Sequence, residues 1–139
     1  MKIQLTLVKL IFNNMIAANK ESQINISPTE VINILKEGNK RFINGNKTKK
    51  DFSAEVKGTS SGQYPLACIL GCIDSRVPAE IIFDQGIGDI FNVRIAGNFV
   101  NTDILGSMEF ACKVAGSKVI LVLGHSQCGA VKGACDGVK

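Results

Sequence analysis

Cys72, His125 and Cys128 are the residues whose types and spacing most clearly support chemistry. They can offer two thiolates and one imidazole. His125 and Cys128 form a short His-x-x-Cys, and Cys72 stands alone upstream. Three protein ligands with a fourth position open is the zinc arrangement of a catalytic site, whereas a structural site closes all four. The chain has no second His. Cys68 is about a strand's length from Cys72 and Cys135 about two helical turns from Cys128, so neither is placed to close a fourth position. One Zn²⁺ per chain is therefore expected. The single His also excludes a three-His site and any mechanism needing two histidines in one chain.

Asp74 and Arg76 follow Cys72 at two and four residues. Asp74 can be a fourth ligand, or it can accept a hydrogen bond from zinc-bound water. Arg76 can grip that carboxylate with two parallel bonds. Zn²⁺, two thiolates and a neutral imidazole sum to zero charge, and thiolates make bound water less acidic than three imidazoles would. A charge-paired Asp74 orienting that water helps to offset this.

Two look-alikes fail. Gly124-His125-Ser126-Gln127-Cys128 resembles a serine nucleophile elbow, but Cys128 stands where the second Gly is needed. The only His adjoins the Ser and cannot serve it as a base. Cys128 with His125 as a thiol nucleophile is the weaker alternative. Gly86-Ile87-Gly88 precedes its strand, with Phe91 where a third Gly would stand, and reads as a turn rather than a nucleotide loop.

These groups need elements to position them. Ser27-Pro28-Thr29-Glu30 starts a helix with a capping box and Pro at the first turn. Val31, Ile34, Leu35, Gly38 and Phe42 continue it at helical spacing, and Gly45 ends it. Residues 46–63 are polar and read as a loop or linker. Residues 65–72 form a continuous apolar run suited to a strand buried on both faces. A short helix follows at 78–83, a strand at 89–95, and a helix at 102–115, capped by Asn101 or Thr102 and stopped at Gly116. The clearest strand is 118–124, and another helix begins at Ser126. This alternation predicts an α/β fold, a parallel β-sheet core flanked by helices. Residues 1–60 form an N-terminal helical arm and linker, and 61–139 the core. In such sheets ligands sit beyond the carboxyl ends of the strands. Cys72–Arg76, Arg94–Asn98 and Gly124–Gly129 occupy those ends.

Composition narrows the classes further. Among 139 residues 45% are hydrophobic, enough for a core and against general disorder. No apolar run approaches the ~20 residues of a membrane helix, so no membrane span is expected. Residues 1–60 hold ten Lys/Arg against five Asp/Glu, and residues 61–139 six against seven. The positive charge thus belongs to the arm. Lys47, Lys49 and Lys50 lack interleaved aromatics for base stacking, and no nucleic-acid partner is expected. Five Cys cannot all pair within one chain. Cys68 and Cys72, four strand steps or ~13 Å apart, are too distant for a disulfide. Cys68, Cys112 and Cys135 read as small core hydrophobes. Residues 1–18 read as an amphipathic helix and, alternatively, as a weak signal-like segment interrupted by Gln4, Thr6 and Lys9. A cytoplasmic location is expected, with periplasmic export as the alternative.

Cys72-Ile73-Asp74-Ser75-Arg76, Arg94-Ile95-Ala96-Gly97-Asn98 and Gly124-His125-Ser126-Gln127-Cys128-Gly129 together resemble the β-class carbonic anhydrases. The likeness runs from about Gln63 to Lys139. Ile81 to Ala111 is similar to bacterial members in particular, and the Ser27–Asn44 helix to their N-terminal region. The resemblance implies reversible hydration of CO₂ to bicarbonate and a proton by zinc-bound hydroxide, with zinc held by Cys72, His125 and Cys128. Asp74 and Arg76 match the family's Asp–Arg dyad. Gln63 matches a glutamine that reaches the partner subunit's site. Phe91 and Ala96 match apolar residues lining the CO₂ pocket, and Gly129 a glycine beside the last ligand. A homodimer or higher homo-oligomer is implied, with the site at the subunit interface. Phe110 stands where some members carry Tyr. Family chains continue with a further strand and helices, so the core is expected to be incomplete at its C-terminus. The alternatives are a truncated, catalytically impaired zinc-binding remnant, a Cys–His hydrolase, and the related substrates carbonyl sulfide and carbon disulfide.

Overall fold

The computed structural model describes residues 17–137. The reading of residues 1–18 therefore falls almost wholly outside the described residues. A short helix, α1 (Lys20–Asn25), precedes α2 (Pro28–Ile43). Both start with capping boxes, from Asn19 with Ser22 and from Ser27 with Glu30. Such caps stabilise a helix by about 1 kcal/mol each. Val31 and Leu35 turn inward and are fully buried. Gly38 is required by close approach, because a Cβ there would lie 1.8 Å from the carbonyl oxygen of Phe83. Phe42, at the same spacing, is 39% exposed, since the helix runs off the core before reaching it.

The expected loop at 46–63 is corrected by a helix, α3 (Phe52–Thr59), capped by Asp51. Its buried residue is Glu55, whose carboxylate accepts the Ile87 N–H at 2.9 Å. A helix that buries a carboxylate leaves no hydrophobic periodicity to read.

Three parallel strands follow in the order β2-β1-β3: β1 (Ala67–Gly71), β2 (Ile90–Arg94) and β3 (Val119–Leu123). Gly71 pairs with Arg94 on one side and Leu123 on the other, so the three strands end level. β1 is buried along its whole length. Its Ala67 and Ile69 pack with Val31, Leu35 and Phe83 on the α2 side. Its Cys68 and Leu70 pack with Ile104, Met108 and Ala111 on the other. Fully burying a side chain such as Ile69 or Leu70 contributes about 1.5–3 kcal/mol. β3 covers one face only, leaving Ile120 and Val122 exposed.

The connections are α4 (Ala79–Ile82) after β1, and α5 (Thr102–Glu109) after β2. Asn101 caps α5. The expected helix to Ala115 instead widens at Phe110–Val114 into a π turn, where the Ala115 N–H donates to the Phe110 carbonyl. Gly116 at φ +83° then stops it. The last helix, α6, spans Gly129–Cys135. It begins three residues later than expected, because Gln127 adopts a left-handed φ of 56°.

Asp84, in the turn after the helix Ala79–Ile82, ties that turn to α2 and to the segment that follows α2. It is buried, and its carboxylate accepts bonds from Arg41 Nε and from the N–H and hydroxyl of Thr48. Burial pushes its carboxyl upward, but Arg41 and Thr48 outweigh that and leave the pKa below the ordinary value. The stabilisation is therefore fully present above the unfolded pKa of about 3.9. It is lost as pH falls through the lower folded value. Asp84→Ala is expected to cost about 3 kcal/mol at neutral pH, measured by urea unfolding. The gap to the unaltered chain should close on acidification.

Candidate metal centre

Cys72 is the first residue beyond β1, and His125 and Cys128 lie in the turn from β3 to α6. Level strand ends bring them together although 53 positions separate Cys72 from His125 in the sequence. One ligand atom from each of the three lies within 4.8 Å of the others. The two sulfurs are 3.9 Å apart. All five cysteines are free.

His125 Nδ1 stands 2.9 Å from the Ser126 carbonyl, which can only accept, so Nδ1 carries the hydrogen. The neutral ring then presents its lone pair at Nε2. That atom is buried and has no hydrogen-bond partner. A buried nitrogen left unpaired beside two thiols costs stability unless something coordinates it. The donor set and the orphaned nitrogen fit a divalent metal ion.

The lowered thiol agrees with this. The Cys72 thiol is lowered to about 6, chiefly by the adjoining His125 ring and then by the Gly97 and Asp74 backbones. The Gly97 N–H donates to its sulfur at 3.3 Å. Gly97 reaches that position at φ +77°, a conformation that favours glycine. His125 is raised, first by Cys72 and then, against its burial, by Ser126 and Asp74. Cys68 is instead raised to about 11, by burial and then by Cys112. Of the three cysteines read as core, only Cys68 is buried. Cys112 is half-buried in the π turn, and Cys135 faces solvent on α6.

Asp74 and Arg76 form the expected pair. Arg76 donates from its backbone N–H and Nε to Asp74 Oδ1, each at 2.9 Å, and from Nη2 to Oδ2 at 2.6 Å. These bonds hold the Asp74 carboxyl well below the usual range. Asp74 Oδ2 lies 3.9 Å from His125 Nδ1, and the carboxylate is not a member of the Cys–His–Cys grouping.

The remaining predicted residues divide. Gly129 opens α6 beside Cys128, and Ala96 lies in the turn Ala96–Asn98 past β2. Both are near the strand ends. Phe91 pairs in register with Cys68, three residues before the end of β2, and its ring meets Phe110 at 6.5 Å. Gln63 is exposed before β1, at the opposite end of that strand from Cys72. One chain alone does not bring Phe91 or Gln63 to the cluster. Sequence reasoning missed a function for Arg94, although it stands in a motif singled out for its strand-end position. Its Nε donates to the Cys72 carbonyl at 2.8 Å and its Nη2 to that of Asp74 at 2.6 Å.

Comparison with known proteins places this geometry. The pattern of the family described as "Carbonic anhydrase" matches residues 67–139. The chain is 49% identical over 116 residues to carbonic anhydrase 2 of Mycobacterium tuberculosis, covering 83% of this chain and 56% of that one. It thus spans about half the length of that relative. The solved Coccomyxa β-carbonic anhydrase in complex with acetazolamide superposes with a TM-score of 0.57 at 31% identity, over 60% of this chain and 39% of that one. Tetrameric β-carbonic anhydrases from Sordaria macrospora superpose at 0.52 and 33% identity, over 76% and 51% respectively. With its parallel sheet, its strand-end Cys–His–Cys cluster and these likenesses, the chain belongs to the β-class carbonic anhydrase family.

Proposed function

We propose that this protein catalyses the reversible hydration of CO₂ to bicarbonate and a proton, using zinc held by Cys72, His125 and Cys128. The observation that carries the reading is the buried, unpartnered Nε2 of His125, on a ring with a nitrogen within 4.8 Å of two thiol sulfurs and beside an ionised Asp74. Zinc, when bound, acidifies water enough to supply a nucleophile near neutral pH.

The other steps belong to this chain's own groups. Arg76 keeps Asp74 anionic and immobile through three hydrogen bonds. Asp74 Oδ2, the oxygen nearer His125, accepts a hydrogen from the attacking water and so directs its lone pair at the CO₂ carbon. Ser126 holds His125 in the tautomer that coordinates. Ala96 and Gly129 present little bulk at the strand ends near the cluster, which would leave room for CO₂. Phe91 and Gln63 stand away from the cluster in their own chain, which favours a homodimer or higher homo-oligomer in which a second copy completes the pocket.

Hydration by the 139-residue chain, assayed with zinc content on the same sample, tests the reading. Turnover that tracks bound zinc is expected. Zinc bound without turnover would indicate a non-catalytic remnant, and thiol-dependent hydrolysis without zinc a Cys–His hydrolase.

The proton needs an exit. The chain's only His is engaged at the metal, and Phe110 carries no hydroxyl. Turnover is therefore expected to rise with external buffer concentration and then level off, as read by stopped-flow assay across a buffer series. A flat response would show an internal relay.

Among the described residues, no helix is long and apolar enough to cross a membrane.

A further inference from the structure

Arg94 ends β2 and is exposed, so it adds little to the core. The sheet does not need its side chain either, because the ladder is continued past it by the Ile95 N–H donating to the Gly71 carbonyl at 3.1 Å. Yet its guanidinium makes two bonds to one short segment. Nε holds the carbonyl of Cys72 and Nη2 that of Asp74, at 2.8 and 2.6 Å. The two carbonyls thus converge on one guanidinium, while the intervening Ile73 is 61% exposed. Arg76 cannot set this arrangement, because its bonds to Asp74 stay within three consecutive residues and tie nothing to the sheet. Arg94 connects the Cys72–Asp74 turn to β2. From the same strand exit, Gly97 holds the Cys72 sulfur.

We propose that Arg94 is a positioning residue of the metal site, setting the Cys72 ligand and the Asp74 carboxylate in one frame through their two carbonyls. The proposal rests on the metal-site reading above. A planar guanidinium suits this task, since its donors diverge at set angles from one rigid group. A lysine ammonium keeps the charge on a flexible stem and lacks that rigid fork.

The test compares Arg94→Lys and Arg94→Gln with the unaltered 139-residue chain. Zn²⁺ affinity is measured by chelator competition, and the thiolate-to-metal charge-transfer spectrum is recorded with Co²⁺. Both variants are expected to lose about 10- to 100-fold in affinity, the usual cost of disturbing a group that orients a ligand. Their Co²⁺ bands should shift while the metal-free melting midpoint stays near that of the unaltered chain. Unchanged affinity and bands in Arg94→Gln would overturn the proposal. Full rescue by Arg94→Lys would overturn it too, by showing that charge alone suffices. If neither variant folds, Arg94 serves the fold and the proposal fails. Metal binding without CO₂ hydration by the unaltered chain would sink the catalytic reading and leave Arg94 to be judged by affinity and spectrum. Absence of metal binding by that chain would overturn both.

Discussion

Cys72→Ser is expected to abolish the proposed CO₂ hydration and to lower affinity for the proposed zinc ion by more than 100-fold. Disturbing a group outside the ligand set typically costs about 10- to 100-fold, and removal of a ligand should exceed that. Serine keeps the size and fills the same buried position, 3% exposed, so the core loses little. What is lost is the anionic sulfur. The Cys72 thiol is lowered to about 6, chiefly by His125, which favours the anion. A serine hydroxyl is not ionised at neutral pH and is a poor ligand for zinc. Zinc content by elemental analysis, with the melting midpoint as the folding control, checks the result. Retention of a full equivalent of zinc by the folded variant would mean that the cluster is not the metal site.

The second large effect is expected at Arg76. Arg76→Ala should lower CO₂ hydration by about 100-fold, the scale on which a misplacement of about 1 Å is felt, while zinc content is kept. Both side-chain bonds that restrain Asp74 disappear together, leaving only the one from the backbone N–H of residue 76. The freed carboxylate is near His125, at 3.9 Å, and would be able to turn toward a metal held by the cluster instead of accepting a hydrogen from water. Its pKa should also rise, since Arg76 is what holds it down. The loss of activity should therefore be accompanied by a change in the acid limb of the pH profile. Arg76→Lys is expected to recover part of the activity, because one point charge keeps Asp74 ionised but cannot hold both oxygens. Equal activity in the alanine variant would show that Asp74 needs no side-chain partner.

Both predictions concern residues whose chemistry is legible in the sequence. Cys72, Asp74, Arg76, His125 and Cys128 carry reactive groups at short, strand-end spacings, and strand ends are marked by apolar runs such as 118–124. Ser27 and Glu30 announce their helix because a capping box is local chemistry. Other features leave no such mark. Helix α3 buries Glu55 rather than a hydrocarbon stripe. The π turn at Phe110–Val114 depends on how α5 meets β1 and on Gly116 at its end. Cys112 and Cys135 are chemically identical to Cys68, and only packing tells that Cys68 alone is buried.

The sequence by itself determined which groups this protein can use: two thiols and one imidazole for a metal, and one carboxylate with an arginine to hold it. It determined the alternation of strands and helices too, and with it a parallel sheet, because hydrophobic period and turn residues act over a few positions. Tertiary structure alone decided that these groups meet. The level endings of β1 and β3 bring Cys72 within 4.8 Å of residues more than fifty positions away. It also decided that Arg94 reaches two carbonyls of the neighbouring strand's exit while Phe91 and Gln63 stand apart. Register and strand pairing are properties of two chain segments at once, and no local spacing encodes them.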